Sequence, residues 1–280
     1  MTCSARYFPI KPSAFRFQAG LHPFGTDFGN GAADGLYFQV DEQWRHYVRE
    51  KGRGSPARHG VLGRTADERR ANQRVLDWVR ETARREHPDL FAIPPQTLRG
   101  IAARVQEDLV VVHRRADGRD AAIAVDVSFP SDWRPERIIG TDFRFIHGPV
   151  PGFADNDAQA RSLVSAMIDR GPYVRFVWTL KADDDLDHHP DAGPHRGWSP
   201  DGEGFLRVER QVTVPFPEVS AALFLIRTYL YGFRSLSAAE RSALAKAVQT
   251  MPAAAAAYKG LVEPREIILA LLRPRAAADC

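Results

Sequence analysis

The sequence predicts an α+β fold in which helices precede and follow a five-stranded, mostly antiparallel sheet. Strand-like segments come in runs instead of alternating one by one with helices, which is typical of this class. An Asp117-Gly118 pair separates the first two runs, and this dipeptide is a strong signal for a β-hairpin. Two helical segments flank the strand-rich region, and each opens with a capping box, at 65–68 and 237–240.

Composition and charge are those of an ordinary globular protein. The chain has 280 residues, of which 44% are hydrophobic and 26% charged, and its formal net charge is only +3. Basic residues are scattered apart from a local excess between Arg45 and Arg85. We interpret this excess as a solvated helix face, and the alternative is a surface that binds an acidic partner. Cys3 and Cys280 form no disulfide framework, and no apolar run of about 18 residues occurs. We therefore expect a soluble, cytoplasmic protein.

Segments before the sheet are predicted from glycine, proline and helical periodicity. We expect an aromatic-rich arm over 1–40, a helix from Asp41 to about Glu50, an exposed linker over 51–64, a long helix over 66–86, and a short helical piece from Pro94 to near Val105.

The sheet region combines β-branched runs with one helical crossover. The predicted strands cover 109–113, 121–129, 174–180, 206–214 and 221–231, with a loop over 130–152 and a helix over about 155–170 between the second and third strands. Alternation in the fourth strand predicts one buried face. Helices over 238–249 and from Pro264 to before Pro274 complete the chain.

These elements predict a single domain over 1–280. It comprises an arm with helices (1–105), a sheet core (106–232) and C-terminal helices (233–280). Two strands, a helical crossover and three further strands is also the order found in PAS-type folds, although periodicity does not choose that topology among five-stranded α+β folds.

The most distinctive local feature is His147, which is followed by Gly-Pro-Val-Pro-Gly at 148–152. Proline fixes φ and lacks an N–H, and glycine permits unusual backbone angles, so this segment is predicted to be a rigid extended loop instead of a helix or strand. Such a loop would hold the imidazole in one direction, as a metal ligand or catalytic base requires. A buried histidine with a satisfied hydrogen bond is the alternative.

Charged residues on the predicted strands are further candidates. Arg227 interrupts an apolar run and needs an anionic partner, either an internal carboxylate or the acid groups of a cofactor. Glu107 and Asp108 begin a strand and could act as an acid/base pair or hold a cationic ligand, but adjacent strand residues face opposite ways, and a solvated pair is the alternative.

Histidines and aspartates crowd the segment over 183–203. They are His188, His189, His195, Asp183, Asp184, Asp185, Asp187 and Asp191. Their spacing fits no defined metal site, and the proline and glycine content predicts mobility, whereas a metal site needs fixed ligands. The sequence therefore favours an exposed acidic loop over a metal centre.

Several common catalytic motifs are absent from the sequence. It contains no G-x-G-x-x-G, P-loop, G-x-S-x-G or cysteine pair. Nucleotide-binding, α/β-hydrolase and iron–sulfur interpretations therefore lack support from motifs.

Six stretches of the chain, in this order, resemble one known family. They are Val105-Gln106-Glu107-Asp108-Leu109, Phe129-Pro130-Ser131-Asp132-Trp133, Ile146-His147-Gly148-Pro149-Val150-Pro151-Gly152, Arg207-Val208-Glu209-Arg210-Gln211, Ile226-Arg227-Thr228-Tyr229 and Tyr258-Lys259-Gly260. The sequence is similar to the haem-containing alpha subunit of haem-dependent oxidative N-demethylase and its relatives, from about Phe15 to Lys259. The segment around His147 is the most specific match.

The resemblance implies a PAS-like fold that holds a b-type haem. It implies oxidative demethylation of a small secondary amine with O2 to a primary amine and formaldehyde. It also implies a separate reductase that carries FMN and an iron–sulfur cluster and uses NADPH. Because the chain shows no flavin, nicotinamide or cluster motif, such an enzyme must dock a reductase or use peroxide, and the basic excess between Arg45 and Arg85 is the expected docking surface.

Site residues follow from the same resemblance. It implies His147 as the axial ligand of the haem iron. Arg227, together with Arg207 or Arg210, is the candidate for pairing with haem propionates. Trp178, most simply a core residue, is a further cofactor-binding candidate. Glu107 or Glu209 would hold a cationic amine, with the choice between them open.

One departure from the family pattern supports a second hypothesis. Where relatives tend to show Arg-x-Asn-Trp, this chain has Arg175-Phe176-Val177-Trp178, so a polar side chain is replaced by Val177. The alternative function is therefore a PAS-like module that binds haem or a small molecule as a sensor, without turnover.

Overall fold

The protein is an α+β structure built on a seven-stranded sheet. A computed structural model describes residues 5–16, 20–151 and 157–273, with only the backbone described for 157–159. The strands are β1 (His22–Pro23), β2 (His59–Val61), β3 (Asp108–Arg114), β4 (Asp120–Asp126), β5 (Tyr173–Lys181), β6 (Phe205–Phe216) and β7 (Ala221–Gly232). Their order across the sheet is β1-β5-β6-β7-β3-β4-β2, and all six neighbouring pairs are antiparallel. The predicted fold class is confirmed at this level.

The five long strands β3 to β7 are those predicted, but the expected number of five is corrected to seven. The short strands β1 and β2 lie in the segments predicted as arm and linker. Three-residue pairing of β2 with β4 extends the sheet edge, and it places His59 opposite Asp126, whose carboxylate lies 3.1 Å from the imidazole. A strand this short carries too few residues for a period-2 pattern to be recognised.

Eight helices surround the sheet in the described residues. They are α1 (Trp44–Arg53), α2 (Ala66–Glu86), α3 (Leu98–Ala102), α4 (Phe143–His147), α5 (Asp157–Asp169), α6 (Ala238–Thr250), α7 (Ala253–Tyr258) and α8 (Arg265–Leu272). Both predicted capping boxes are present. In the first, the Thr65 hydroxyl accepts from the Glu68 N–H at 3.1 Å, and a Glu68 oxygen accepts from the Thr65 N–H at 3.4 Å. The long helix over 66–86 is therefore confirmed.

The prediction of an extended loop around His147 was wrong. His147 is the last residue of α4, which Asp142 caps by accepting a hydrogen bond from the Phe145 N–H at 2.7 Å. Because the prolines follow the helix, at 149 and 151, they cannot remove any of its N–H donors. Gly152 lies outside the described residues, as do Cys3 and Cys280.

One face of the sheet carries most of the apolar core. There α2 and α3 pack on the β3–β4 side of the sheet through Ala71, Val75, Val79, Ile101 and neighbouring strand residues such as Leu109, Val111, Ile123 and Leu225. The C-terminal helices pack further along through Leu244, Val248 and Ile268 against Leu206 and Val208. On the opposite face, α4 and α5 pack over Ala222 of β7. The functional site lies on this second face.

No helix in the described part of the chain is long and apolar enough to span a bilayer.

Candidate functional site

A cavity of about 1300 Å³ lies on the face of the sheet that α4 and α5 cover. Alternate residues of four strands form its floor: Val110, Val112, Arg175, Val177, Thr179, Arg207, Glu209, Gln211, Thr213, Ala222, Phe224 and Ile226. The other walls come from α4, α5, the arm residues 6–11, and Tyr258 with Lys259. The volume exceeds the roughly 300–1000 Å³ usual for small-molecule pockets, so the cavity has room for a large cofactor.

This floor explains why β6 is buried on both faces. The alternation in its sequence predicted one buried face, and the buried apolar residues Val208 and Val212 do face the core. The polar residues between them face the cavity instead of bulk solvent, and Arg207 is fully buried. A polar strand face can border a binding site as well as water, and period-2 patterns do not distinguish the two cases.

His147 reaches the cavity from the end of α4. Its Nδ1 lies 2.9 Å from the Phe143 carbonyl oxygen. Because a carbonyl only accepts, Nδ1 carries the proton and the lone pair resides on Nε2. Burial lowers the pKa of His147 to about 4, so the ring is neutral at neutral pH. A neutral imidazole whose tautomer is fixed by a backbone carbonyl is the usual form of a metal-ligating histidine.

A chain of hydrogen bonds joins Arg175, Gln211 and Glu209 across the cavity floor. The Arg175 Nε donates to Gln211 Oε1 at 2.8 Å, and Gln211 Nε2 donates to Glu209 Oε2 at 2.9 Å. Burial lowers the pKa of Arg175, although an arginine remains protonated. Among the described residues Arg175 forms no ion pair with a carboxylate. It is therefore a desolvated cation that an anionic ligand in the cavity could neutralise.

Arg207 lines the same cavity, but its guanidinium donates mainly to backbone carbonyl oxygens. It donates to the carbonyl oxygens of Leu186 at 2.9 Å and Phe129 at 2.6 Å, and to the Thr228 hydroxyl at 3.1 Å. Its Nε lies 3.6 Å from Glu209. The side chain thus fixes the 183–196 segment against the sheet, and it balances the charge of Glu209.

Arg210 and Arg227 lie directly opposite each other in the β6–β7 pair, and both face away from the cavity. Arg227 pairs with Asp41 at 3.0 Å and stacks 4.1 Å over the Tyr47 ring. Arg210 donates to the Leu36 carbonyl oxygen at 2.9 Å. The internal carboxylate that Arg227 needs is therefore Asp41. Neither arginine lines the cavity, and pairing with haem propionates stays a prediction for both.

Glu107 and Asp108 are both buried, so the interpretation as a solvated pair was wrong. Glu107 accepts from the Gln39 N–H at 2.8 Å, and Asp108 lies 3.0 Å from the Lys51 ammonium. Neither residue lines the cavity. Glu209 does line it, which favours Glu209 over Glu107 as the carboxylate that a ligand would meet.

Trp178 lies at the cavity edge with Lys259, a residue not singled out from the sequence for a role. The Lys259 Nζ donates to the Trp178 carbonyl oxygen at 2.5 Å and lies 5.0 Å over its ring. Burial lowers the pKa of Lys259 to about 8. The only sequence signal for this lysine was its membership of the Tyr258-Lys259-Gly260 stretch.

Residues 35–269 match the family described as haem-dependent oxidative N-demethylase, alpha subunit-like. The chain belongs to this family. The resemblance inferred from the six stretches is confirmed, and the family description indicates an oxidoreductase that depends on haem. His147, on which the most specific stretch centres, lines the cavity of about 1300 Å³.

Proposed function

We propose that the protein is a haem-dependent oxidoreductase that removes a methyl group from a small secondary amine. For dimethylamine, one amine, one O2, two electrons and two protons would give methylamine, formaldehyde and water. The observation that carries the proposal is the neutral His147, held in one tautomer on the wall of a large cavity in a member of this family.

The residues that line the cavity fit a haem b group. The lone pair on His147 Nε2 would coordinate the iron from one side. Apolar side chains such as Val110, Val112 and Phe224 offer surfaces for the porphyrin plane. Arg175 would pair with a propionate, because it is a half-buried cation in the same cavity and forms no ion pair with a described carboxylate. We also propose that the single domain has a PAS-like topology. The order of its five long strands across the sheet, β5-β6-β7-β3-β4, supports this topology.

Bound haem would supply the activation of O2. The residues of the chain would position the amine and limit access of water. Glu209 is the less exposed of the two carboxylates among the described lining residues, because its side chain is 18% exposed and that of Asp132 is 69% exposed. We propose that Glu209 attracts the ammonium form of the substrate, and that Lys259, with its pKa near 8, accepts or donates a proton at Nζ.

Electrons would come from a separate reductase with FMN, an iron–sulfur cluster and NADPH. The expected docking surface on the basic helix α2 lacks support from the geometry. Helix α2 packs on the face of the sheet opposite the cavity. Arg70 and Arg74 of this helix also contact Glu218. A reductase would more directly approach the cavity mouth, where Lys11, Arg16 and Arg137 are exposed.

Haem reconstitution tests the ligand assignment. Haemin titrated into the haem-free protein should produce a Soret band, and His147→Ala should abolish or shift it because the axial nitrogen is lost. His22→Ala is the matched control, since His22 also lines the cavity but is exposed and near its rim. A Soret band that is identical in His147→Ala and the unaltered protein would refute the assignment.

Turnover is tested separately with haem-loaded protein. Chemically supplied electrons, O2 and a panel of N-methylated amines should release formaldehyde if the protein is an enzyme. The alternative is a haem-binding sensor, favoured by Val177, an apolar side chain on the cavity floor at a position where relatives tend to carry a polar one. Spectral shifts on amine binding without formaldehyde would support the sensor and contradict the demethylase.

A further inference from the structure

A second cluster of ligating side chains lies behind the cavity wall, in the segment after β5. Asp183, His188 and His195 each place one ligating atom within 4.8 Å of those of the other two. His188 Nε2 is 3.0 Å from Asp183 Oδ1, and His195 Nδ1 is 4.0 Å from Asp183 Oδ2. Asp185 lies next to them, with its Oδ2 3.3 Å from His195 Nδ1.

Part of the segment that its proline and glycine content predicts to be mobile is buried and hydrogen-bonded. Asp183 and His188 are 5% and 4% exposed. Backbone hydrogen bonds hold His188 on both sides, from its N–H to Pro130 and from the Asp132 N–H to its carbonyl. The Asp183 carboxylate accepts the N–H groups of Asp185 and Arg196, which draws the two ends of the loop together. Two of the three ligands, Asp183 and His188, are therefore fixed, as a metal site requires.

The two imidazoles are packed in a way that hydrogen bonding within the described residues does not explain. Their rings stack with centroids 4.4 Å apart. The Nδ1 of His188 and the Nε2 of His195 are both buried and have no hydrogen-bond partner there. The other two ring nitrogens, His188 Nε2 and His195 Nδ1, face the Asp183 carboxylate and are the ones available to a metal ion.

From this arrangement we propose that Asp183, His188 and His195 bind a divalent transition-metal ion, with Zn²⁺ as the ion best suited to the donor set. Two imidazoles and a carboxylate are ordinary zinc ligands, and Asp185 or water would complete a tetrahedron. The ion is distinct from haem iron, since none of the three residues lines the haem cavity.

Binding requires one ring to turn. A metal ion lies in the plane of each imidazole that binds it, and two nearly parallel stacked rings cannot share such a point. His195 is the ring that turns, because its side chain is 27% exposed whereas that of His188 is 4% exposed. The turn also moves the histidines out of their stack.

The surrounding charges favour the ion on balance. Lys181 and Arg207 are cations near His188, but Lys181 contacts Asp132 and Arg207 is balanced in part by Glu209. Asp187 and Asp191 are paired with Arg58 and Arg134. The carboxylates of Asp183 and Asp185 therefore remain to face the two rings. Their two negative charges match the charge of a divalent ion.

The ion would act as a structural clamp behind the haem cavity. The loop it closes carries the Leu186 carbonyl that accepts from Arg207, and it pairs with the backbone of Asp132. Arg207 and Asp132 both line the cavity. A metal bound here would therefore hold one wall of the cavity in place without touching its contents.

Metal binding to the full-length, haem-free protein tests the proposal. After treatment with a chelator, Zn²⁺ should bind at a single site and raise the melting temperature, and Co²⁺ should give the strong visible absorption of a tetrahedral site. His195→Gln should weaken Zn²⁺ binding by on the order of 100-fold, because it removes one of the three ligands. The His195 side chain is 27% exposed, so we expect the variant to fold.

Two control variants make the outcome specific. His189→Gln removes the neighbouring histidine, which contacts Glu136 instead of the cluster, and it should bind Zn²⁺ as the unaltered protein does. His147→Ala should also bind Zn²⁺ normally, which separates this site from the haem ligand. The proposal is overturned if chelator-treated protein takes up neither Zn²⁺ nor Co²⁺, or if His195→Gln binds Zn²⁺ as tightly as His189→Gln does.

Discussion

At the scale of single residues, backbone carbonyl oxygens fix the orientation of two side chains in the cavity, His147 and Arg207. The Phe143 carbonyl fixes the tautomer of His147, and the Leu186 and Phe129 carbonyls occupy the guanidinium of Arg207. Arg175 differs from Arg207 because its hydrogen bond goes to the neutral side chain of Gln211. Two lining residues, Arg175 and Lys259, are therefore the places where substitution should report on the cavity itself.

Replacing Arg175 should weaken haem binding. Arg175→Gln removes the proposed partner of a propionate, and a hydrogen bond to a charged group contributes about 1.5–3 kcal/mol. We expect the haem Kd to rise by roughly 10- to 100-fold. Titration of haemin, followed at the Soret band, measures it. Arg137→Gln serves as the control, since Arg137 also lines the cavity but is exposed. Equal haem affinity in both variants would contradict the propionate assignment.

The lowered pKa of Lys259 predicts how the stability of the folded protein depends on pH. Burial lowers its pKa from 10.5 to about 8 in the folded protein, so the ammonium form is destabilised there. Between about pH 8 and 10.5 the unfolded chain keeps the proton that the folded protein has lost, so stability rises with pH in this window. The free energy of unfolding, relative to Lys259→Met, should increase by up to roughly 3 kcal/mol. Urea unfolding of both proteins at pH 7 and pH 10 measures this difference, and a constant difference would rule out the shifted pKa.

At the scale of elements, local capping decides where the helices begin. The capping box of α2 satisfies two backbone N–H groups, and Glu68 is held further by Arg115 at 3.1 Å. Helix α4 has only five residues and depends on the Asp142 cap, since a helix that short is not stable by its own hydrogen bonds. Because α4 ends at His147, its cap also determines where the imidazole enters the cavity.

Removing the cap of α2 should destabilise the whole protein modestly. Thr65→Ala deletes the hydroxyl that accepts from the Glu68 N–H, and such a loss costs about 1 kcal/mol. Thr65→Ser keeps the acceptor and should stay within a few tenths of a kcal/mol of the unaltered protein. Urea unfolding of the three proteins makes the comparison. If Ala and Ser prove equally stable, the cap does not contribute.

At the scale of the whole molecule, buried polar contacts tie the N-terminal segment to the middle of the sheet. Asp41, which precedes α1, pairs with Arg227 of β7 at 3.0 Å, and their side chains are 5% and 1% exposed. The Tyr47 hydroxyl donates to the Thr228 carbonyl oxygen at 2.9 Å nearby. These contacts lie on the face of the sheet opposite the cavity, so they support the floor of the site from below.

Breaking this ion pair should be strongly destabilising. Asp41→Asn leaves Arg227 buried without a counter-charge, and loss of one partner of a buried pair costs about 3–5 kcal/mol. Asp77→Asn is the matched control, because the Asp77–Arg80 pair is partly exposed and 4.0 Å apart, and such pairs contribute at most about 1 kcal/mol. Chemical denaturation compares the two variants. A loss below about 1 kcal/mol for Asp41→Asn would show that water or another group compensates Arg227.

The sequence by itself determined the long elements and the identity of the family. Periodicity and capping boxes located α2, α6 and the five long strands, because these signals depend on neighbours within a few residues. The stretch around His147 identified the most specific candidate residue, although its helical conformation was missed because the prolines after it were given too much weight.

Only the tertiary structure decided which charged residues meet in the cavity. Alternation along a strand places Arg207 and Arg210 on opposite faces, but the sequence cannot say which face is covered by core helices and which by α4 and α5. The same limit applies to Asp183, His188 and His195. Their spacing matches no known motif, and they come together because backbone hydrogen bonds fold an irregular loop back on itself. Contacts between distant residues depend on register and loop path, and neither is encoded in a local pattern.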